Sequence, residues 1–321
     1  PPAVPLLLIA YLYSKLKGAR FVIDWHNLGF SMFSQKTLKT ITKQYEQMLA
    51  PLADGHLCVT NAMKQYLETN MNISKQIPIS VLYDCPPQMF QPLSLEQQHH
   101  FFSSLKINCR WLAELKENQT LMTEIVDGNV LSRHNRPALV TSSTSWTEDE
   151  DFGVLLDALV ELDAALKNRR IVVLVTGKGP MKTYYEQKIS KLTLSNTTID
   201  TLWLEPGDYP KLLACADVGV SLHTSTSGKD LPMKVLDLFG CQTPVCALGF
   251  ECLEELVEDH HNGRIFHSSD QLKQQLQELL ETMPDRASPH SFGKLKTYSH
   301  NLKGRRRWKE NWEEHASPVL S

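Results

Sequence analysis

A glycine-rich turn, Gly-Lys-Gly-Pro at 177–180, follows the continuous apolar run 171–176. Such a run is typical of a parallel strand covered on both faces, and Pro180 suits the first position of a helix. In this setting glycines let a phosphate approach the backbone, the helix N-terminus offers free N–H donors, and Lys178 adds a cation. The turn therefore predicts phosphate binding by Gly177 and Lys178, although an ordinary Gly-Pro turn with a solvated lysine explains the same residues.

Four consecutive hydroxyl residues stand between a predicted strand at 138–141 and a predicted helix near 150–168. They are Ser142, Ser143, Thr144 and Ser145. Their hydroxyl and backbone N–H groups would suit a diphosphate at a strand end. Thr147 and Glu150 fit a capping box, in which each side chain satisfies a free backbone N–H. Turn and capping chemistry alone is the alternative interpretation of this loop.

The segment 223–237 is the most specific candidate site. It follows a predicted strand, is rich in small polar residues, and leads into a predicted helix that bears Met233, Lys234 and Asp237. A lysine near a helix start can neutralise a leaving diphosphate, and Asp237 can accept hydrogen bonds from the two hydroxyls of a ribose. The alternative is a surface pair of Lys234 with Asp237, worth roughly a few tenths of a kcal/mol.

Two further polar groups follow predicted strands. Glu205, or a backbone carbonyl beside it, could accept hydrogen bonds from the pairing edge of a guanine, and an ordinary exposed glutamate is the alternative. His26 is a candidate for proton transfer, because histidine titrates near neutral pH. A structural histidine is the alternative there.

These residues must be brought together by elements of the second half of the chain, in which strands and helices alternate. Strands are predicted at 138–141, 171–176, 201–204, 218–222, 244–248 and 263–266. Helices are predicted at 150–168, 181–192, 209–216, 232–240, 252–257 and 269–282. The alternation predicts βαβ units and a doubly wound parallel sheet, whose ligands bind beyond the carboxyl ends of the strands.

The first half follows the same order in a shorter form. Helices are predicted at 5–17, 36–50 and 61–69, and strands at 21–24, 56–60 and 79–82. Three strands are fewer than the usual five or six of a sheet. The stretch 94–136 is polar and weakly patterned after an initial helix, which predicts an insertion or linker. We therefore predict a partial first domain at 1–136 and a complete second domain at 137–300.

Composition excludes several classes of protein. The 321 residues, 42% hydrophobic and 21% charged, are typical of a globular protein of two domains. The net charge of −3 gives no basic field for nucleic acid. Seven scattered cysteines without C-x-x-C spacing favour a reduced, cytosol-facing protein without a metal site. The apolar run 3–13 is shorter than the roughly 20 residues that span a bilayer.

Six motifs occur in a fixed order along the chain. They are Asp-Trp-His-Asn at 24–27, Cys-Val-Thr-Asn-Ala-Met at 58–63, Ser-Ser-Thr-Ser-Trp-Thr-Glu-Asp-Glu-Asp-Phe at 142–152, Val-Thr-Gly-Lys-Gly-Pro at 175–180, Asp-Tyr-Pro at 208–210 and Asp-Leu-Pro-Met-Lys at 230–234. Together they resemble the chitobiosyldiphosphodolichol β-mannosyltransferase family. The resemblance runs from about Arg20 to the C-terminus and weakens across 94–136 and after 285.

The resemblance implies an α/β GT-B architecture, in which two Rossmann-like doubly wound parallel-sheet domains face each other across a cleft. It also implies that the first domain is incomplete here and that a terminal helix at 301–321 packs across both domains. The implied reaction inverts the anomeric centre and moves mannose from GDP-mannose to dolichol-diphosphate chitobiose in a β-1,4 linkage. The implied location is the cytosolic face of the endoplasmic reticulum membrane, with the membrane surface and other dolichol-pathway glycosyltransferases as partners.

The resemblance also suggests roles for the candidate residues. His26 would lie nearest the transferring sugar, as a base or as a donor to a sugar or phosphate oxygen. Gly177, Lys178, Lys234 and the loop 142–145 would hold the diphosphate, and Asp237 the ribose. Because amides and lysines can replace a cation, we expect no protein-bound metal and no tightly bound cofactor. A divalent cation would at most stimulate the reaction.

Two features depart from the family pattern. Lys229 stands where related glycosyltransferases often have the first of two glutamates that lie eight residues apart. The membrane anchor and the glycine-containing opening loop of family members do not precede Pro1, so we expect an N-terminally incomplete chain whose first sheet exposes unpaired edges. Two alternatives follow: a catalytically inactive truncated paralogue that binds nucleotide or acts as an interaction module, and a glycosyltransferase that uses another sugar nucleotide.

Overall fold

The computed structural model describes residues 4–166, 169–281, 283 and 293–320. The strands in these ranges are β1 (Val22–Trp25), β2 (Gly55–Cys58), β3 (Ile79–Val81), β4 (Thr123–Val126), β5 (Asn129–Ser132), β6 (Ala138–Ser143), β7 (Ile171–Thr176), β8 (Thr197–Leu202), β9 (Val218–Ser221), β10 (Val245–Leu248) and β11 (Gly263–Phe266). The helices are α1 (Leu6–Lys17), α2 (Lys36–Leu49), α3 (Asn61–Asn70), α4 (Leu95–Ser104), α5 (Phe152–Ala165), α6 (Lys182–Ile189), α7 (Tyr209–Cys215), α8 (Met233–Gly240), α9 (Ser269–Glu281), α10 (Lys294–Asn301), α11 (Trp308–Asn311) and α12 (Ser317–Leu320).

The second half forms a six-stranded parallel sheet in the order β11-β10-β9-β6-β7-β8. Numbered within the domain, this order is the 3-2-1-4-5-6 arrangement of doubly wound nucleotide-binding folds. All six residues of β7 are buried, as their unbroken apolar character predicts. The predicted doubly wound sheet is confirmed. Its strand order reverses between β6 and β9, where ligands of such sheets bind.

Two predicted elements of this half differ in the structure. β8 occupies Thr197–Leu202 instead of 201–204, because its polar, partly exposed residues belong to an edge strand and lack an apolar signal. The helix predicted at 252–257 is only a 3-10 turn at Leu253–Glu255. Its apolar side chains fit a short buried turn as well as a helix, and hydrophobicity alone cannot separate the two.

The first half forms a three-stranded parallel sheet in the order β1-β2-β3. The fully buried side chains of Trp25, Met63 and Leu67 lie in its core. All three strands lie within two residues of their predicted positions. Their carboxyl ends carry His26, Thr60 and the residues that follow β3.

The segment 94–136 packs against the second sheet, which differs from the prediction that it is a polar part of the first domain. It contains α4, a 3-10 turn at Arg110–Glu114 and an antiparallel hairpin of β4 with β5. The side chains of Phe101 and Trp111 are buried with Leu139 and Leu174 of the second sheet. These anchors are widely spaced among polar residues, so no periodic pattern marks them in the sequence.

The end of the chain returns to the first sheet. α11 continues through a π-helical turn, Trp312–Ala316, into α12. The side chains of Ala316 and Val319 pack with Leu57 and Leu82 beside the first sheet. Asn311 donates a hydrogen bond to the carbonyl of Tyr83 at 2.6 Å. The terminal helical segment therefore ties the chain that leaves the second domain to the first sheet.

A carboxylate of the second domain also contacts the first. Glu255 accepts hydrogen bonds from the backbone N–H groups of Asn61 at 2.7 Å and Ala62 at 2.8 Å, which begin α3. The hydroxyl of Tyr83 donates to the same carboxylate at 2.7 Å. A negative charge at a helix N-terminus is stabilising, so this contact helps to set how the two sheets meet.

Candidate functional site

A cavity of about 300 Å³ opens at the carboxyl edge of the second sheet. It is lined by residues that end or follow β6, β7 and β8 or begin α7 and α8: Ser143, Thr144, Thr176, Gly177, Trp203, Leu204, Pro206, Tyr209 and Lys234. Parallel strands present their carboxyl ends at one edge, which is why loops distant in sequence meet here. Four predicted binding residues, namely Ser143, Thr144, Gly177 and Lys234, therefore share one cavity.

Lys234 lies in the first turn of α8, and no described side chain caps the start of that helix. Its ammonium forms a salt bridge with Glu150 and lies 3.3 Å from the hydroxyl of Ser145. The alternative pairing with Asp237 is therefore wrong for Lys234. A lysine beside an uncapped helix N-terminus gives this wall of the cavity two sources of positive potential.

Glu150 joins several groups around Lys234. Its side chain is only 5% exposed. One carboxylate oxygen accepts hydrogen bonds from the backbone N–H of Ser145 at 2.6 Å and the hydroxyl of Thr144 at 2.9 Å. The other oxygen faces Lys234 and lies 3.7 Å from Nδ1 of His223. The carboxylate therefore fixes the loop after β6 to the helix after β9.

The environment keeps Glu150 ionised. Burial acts to raise the pKa of its carboxyl, but contacts from His223, Lys234 and the Ser145 N–H outweigh it and hold the pKa well below the usual range. A fixed negative charge behind Lys234 keeps the ammonium at the cavity wall.

The capping box predicted for Thr147 and Glu150 is wrong. Asp151 caps α5 instead, accepting the N–H of Gly153 at 2.9 Å. The sequence pattern of a cap concealed a carboxylate whose partner, Lys234, lies 84 residues further on. Only the pairing of β6 with β9 brings these two residues together.

The two glycines of the turn after β7 are required by the neighbouring loop. Gly177 has φ of +136°, and a Cβ there would lie 1.8 Å from the carbonyl oxygen of Thr144. A Cβ at Gly179 would lie 1.7 Å from the carbonyl oxygen of Ser145. The prediction explained these glycines by the approach of a phosphate, whereas the structure gives them a packing requirement. Gly177 nevertheless lines the cavity.

The four hydroxyl residues at the end of β6 and directly after it have different surroundings. Ser142 is buried, and its hydroxyl has no hydrogen-bond partner within the part of the chain that the structure describes. Thr144 is buried with its hydroxyl on Glu150. The hydroxyl of Ser143 accepts a hydrogen bond from the hydroxyl of Tyr209 at 3.1 Å, and Ser145 is exposed. Ser143 and Ser145 are therefore the better placed of the four to reach a ligand.

Lys178 and Glu205 follow β7 and β8 next to residues that line the cavity, but neither is itself a lining residue. The ammonium of Lys178 lies 3.7 Å from the ring centroid of Trp203. Glu205 is exposed between two lining residues, and its carbonyl accepts the N–H of Asp208 at 2.9 Å and of Tyr209 at 3.2 Å. The Glu205 carbonyl is thus used to start α7, which leaves the side chain as its available acceptor.

Asp237 and Met233 lie on α8 with Lys234. Burial raises the pKa of Asp237 to about 7. Asp237 does not itself line the cavity. Burial raises the pKa of the lining residue Tyr209 to about 12, and the charge of Asp237 adds to this shift. Met233 is 47% exposed at the start of the helix.

His26 follows β1 at the carboxyl edge of the first sheet. Its Nε2 lies 3.0 Å from a carboxylate oxygen of Asp24, and the two side chains are 60% and 48% exposed. The hydrogen bond to Asp24 raises the pKa of His26 against a smaller lowering by burial, and the charge of Asp84 after β3 adds to the rise. The described residues place no three His, Cys, Asp or Glu side chains together as a metal site.

Comparison with known proteins places the chain in a family. The model of the family "Glycosyl transferases group 1" matches residues 129–296. The chitobiosyldiphosphodolichol beta-mannosyltransferase of Homo sapiens is 39% identical over 339 residues, which cover 100% of this chain and 71% of that protein. UDP-glycosyltransferase TURAN of Arabidopsis thaliana is 37% identical over 354 residues, covering 100% of this chain and 75% of that protein.

Solved structures share the fold. A glycosyltransferase from Rickettsia africae has a TM-score of 0.66 at 15% identity, covering 98% of this chain and 73% of that one. Anabaena Alr3699/HepE, solved in complex with UDP-glucose, has a TM-score of 0.65 at 16% identity, covering 96% and 74%. The GT-B architecture is confirmed. The sequence relationships go further: the chain belongs to the chitobiosyldiphosphodolichol beta-mannosyltransferase family of group 1 glycosyltransferases.

Proposed function

We propose that the chain transfers mannose from GDP-mannose to dolichol-diphosphate chitobiose, with inversion and formation of a β-1,4 linkage. Family membership supports the transfer of mannose to this lipid-linked acceptor. The observation that carries the donor site is Lys234, held by Glu150 at the wall of the cavity where the strand order of the second sheet reverses. A catalytically inactive paralogue is not favoured, since relatives that are named as transferases match the full length of the chain.

The donor diphosphate would lie against Lys234 and the uncapped start of α8. Ser143, Ser145 and the backbone at Gly177 would complete its surroundings, and Lys178 would supply a second cation. Preorganised amides and ammonium groups stabilise the charge that develops on a departing diphosphate without a protein-bound metal. Asp237 would hold the ribose, and Glu205 the pairing edge of guanine.

The acceptor side would depend on His26. In a single displacement, the acceptor hydroxyl oxygen forms the new bond to the anomeric carbon while the bond to the diphosphate breaks. The hydroxyl proton must leave, and an imidazole oriented by Asp24 is suited to receive it. The raised pKa also suits the other assignment, in which protonated His26 donates to a sugar or phosphate oxygen. Asp24 acts as a positioning residue in both cases.

We place this reaction at the cytosolic face of the endoplasmic reticulum membrane, beside other glycosyltransferases of the dolichol pathway, because the acceptor is a membrane lipid. Across the described residues, the helices are all too short or too polar to span a bilayer.

A UDP-sugar is the second candidate donor. One relative carries the name UDP-glycosyltransferase, and one structure of the same fold contains UDP-glucose. Calorimetry of the full chain with GDP, GDP-mannose, UDP and UDP-glucose separates the two. We expect guanine nucleotides to bind at least tenfold more tightly. Equal or tighter binding of UDP-glucose, with its sugar transferred to lipid-linked chitobiose, would overturn GDP-mannose as the donor.

Lys234→Ala tests the diphosphate site. Loss of a charge-assisted contact should weaken GDP binding roughly 10- to 100-fold and leave guanosine binding unchanged. Lys294→Ala is the matched control, because Lys294 also pairs with a glutamate, Glu278, but belongs to α10. It should leave both affinities unchanged. Unaltered GDP affinity in a folded Lys234→Ala protein would remove this residue from the site.

A further inference from the structure

Trp203 is an exposed aromatic side chain at the wall of the cavity. It follows β8, lines the cavity, and is 58% exposed. Trp146, which also follows a strand of the second sheet, is by contrast 1% exposed and packs on Phe152. Burial within the chain does not explain a flat indole that faces open space in a polar loop. Such a surface is suited to stacking on another planar group.

The ammonium of Lys178 covers this ring at 3.7 Å from its centroid. The described residues place no carboxylate within salt-bridge distance of Lys178, so the indole is its main observed partner. An exposed cation–π contact is weak and readily exchanged. Lys178 is anchored beside Gly177, which lines the same cavity, and its long side chain can turn from the ring toward the centre of the cavity.

The cavity has two chemically different ends. Lys234, Ser143 and the start of α8 form a cationic and polar end. Trp203, Leu204 and Pro206 form an apolar end with the ring of Tyr209 nearby. A nucleoside diphosphate has the matching polarity, with charge at one end and a flat aromatic base at the other.

We propose that Trp203 is the stacking platform for the nucleobase of the donor and that Lys178 is its exchangeable cover. The base displaces the ammonium from the indole, and Lys178 then turns to the diphosphate. Binding of the two ends of the donor is thereby coupled through one lysine. The inference rests on the proposed donor site and adds to it the residue that selects a large planar base, which favours a purine over a pyrimidine.

Guanosine, GDP and inorganic diphosphate are the probes, measured by calorimetry and tryptophan fluorescence on the full chain. Trp203→Ala should weaken the binding of guanosine and of GDP about 10-fold each and leave the affinity for inorganic diphosphate unchanged. Trp203→Phe should keep both nucleoside affinities within about threefold. Because Trp203 is exposed, both variants should have the same melting temperature as the parent protein. Trp308→Phe, at an exposed tryptophan outside the cavity, is the matched control.

Lys178→Ala gives a result that a purely structural role would not. With the cover removed, guanosine should bind about two- to fivefold more tightly, while inorganic diphosphate binds more weakly. Guanosine should quench tryptophan emission in the parent and in Trp308→Phe, but not in Trp203→Phe. Persistent quenching in Trp203→Phe, or parental guanosine affinity in Trp203→Ala, would overturn the proposal.

The inference can fail separately from the proposed function. Mannose transfer by the parent chain, together with normal guanosine binding by Trp203→Ala, would contradict the stacking role of Trp203 and leave the proposed function standing. Preference for uridine, with quenching that depends on Trp203, would instead remove GDP-mannose as the donor and the purine selectivity, and would support the platform.

Discussion

The carboxyl edges of the two sheets hold their charged groups in contrasting ways. Beside the second sheet, Glu150 is 5% and Lys234 27% exposed, and the carboxylate is further bound by backbone and side-chain donors. Beside the first sheet, His26 and Asp24 are 60% and 48% exposed and bind mainly each other. Charges in a buried network interact strongly and are costly to leave unpaired, whereas exposed pairs contribute little to stability.

This difference separates two tasks. A network that is fixed before the ligand arrives can hold a diphosphate without reorganisation. An exposed histidine can exchange protons with substrate and solvent. Substitutions in the buried charge network of the second sheet should therefore change stability and donor affinity together, and substitutions at the exposed pair of the first should change the rate alone. The following variants test that separation.

The largest effect is expected from His26→Ala. Loss of a group that transfers a proton lowers kcat by roughly 10²- to 10⁴-fold. The melting temperature and the donor affinity should stay unchanged, because the side chain is exposed and paired only at the surface. Steady-state kinetics and thermal melting measure both. His260→Ala removes another exposed histidine beside an aspartate, Asp259, and should have no effect. A kcat within threefold of the parent would exclude His26 from the chemistry.

Glu150→Ala should have the next largest effect. It leaves Lys234 and the Ser145 N–H without their partner, which costs about 3 kcal/mol and lowers the melting temperature by roughly 6–10 °C. Since the folded-state pKa is lowered, the contribution of Glu150 is present above its unfolded pKa and is lost as pH falls through the folded value. The difference in melting temperature between parent and variant should therefore shrink in strong acid.

Two further variants sharpen this result. Glu314→Ala removes a glutamate of the exposed pair with Arg306 and should change the melting temperature by no more than about 2 °C. Adding Lys234→Ala to Glu150→Ala should recover part of the stability, because no buried charge is then left alone. Equal losses in Glu150→Ala and Glu314→Ala would contradict the difference in stability between the buried network and an exposed ion pair.

The sequence predicted the second sheet well because its strands are apolar runs and its helices carry periodic apolar faces. It also predicted four residues that line one cavity, since the carboxyl edge of a parallel sheet follows from strand order. The local sequence pattern explains Glu150 as part of a helix cap. Its actual partner, Lys234, is distant in sequence and is brought close by the pairing of β6 with β9. The packing of 94–136 was missed for a related reason: a few separated aromatic anchors leave no local period.

Asp24→Asn should change pH dependence more than the maximum rate. The hydrogen bond to Asp24 is the main cause of the raised pKa of His26, so the variant lowers that pKa. If neutral His26 is the base, activity rises with pH, and the acid limb of kcat/KM moves to lower pH in the variant. If His26 is a protonated donor, the alkaline limb moves to lower pH instead. An unshifted pH profile would contradict both assignments and would exclude the Asp24–His26 pair from the reaction.

Asp237→Asn should have the smallest effect, and it tests whether the second sheet's edge stabilises every charge it holds. Burial raises the pKa of Asp237 to about 7, so its contribution to stability is present below its unfolded pKa and is lost as pH rises through 7. As pH rises from 5 to 8, the melting temperature of the parent should therefore fall relative to that of the variant, by roughly 2 °C for a partly exposed group. Because an amide can still bind ribose hydroxyls, GDP affinity should fall by less than about tenfold. A parent that instead gains stability over the variant as pH rises would mean that Asp237 has a cationic partner and belongs to the same kind of network as Glu150.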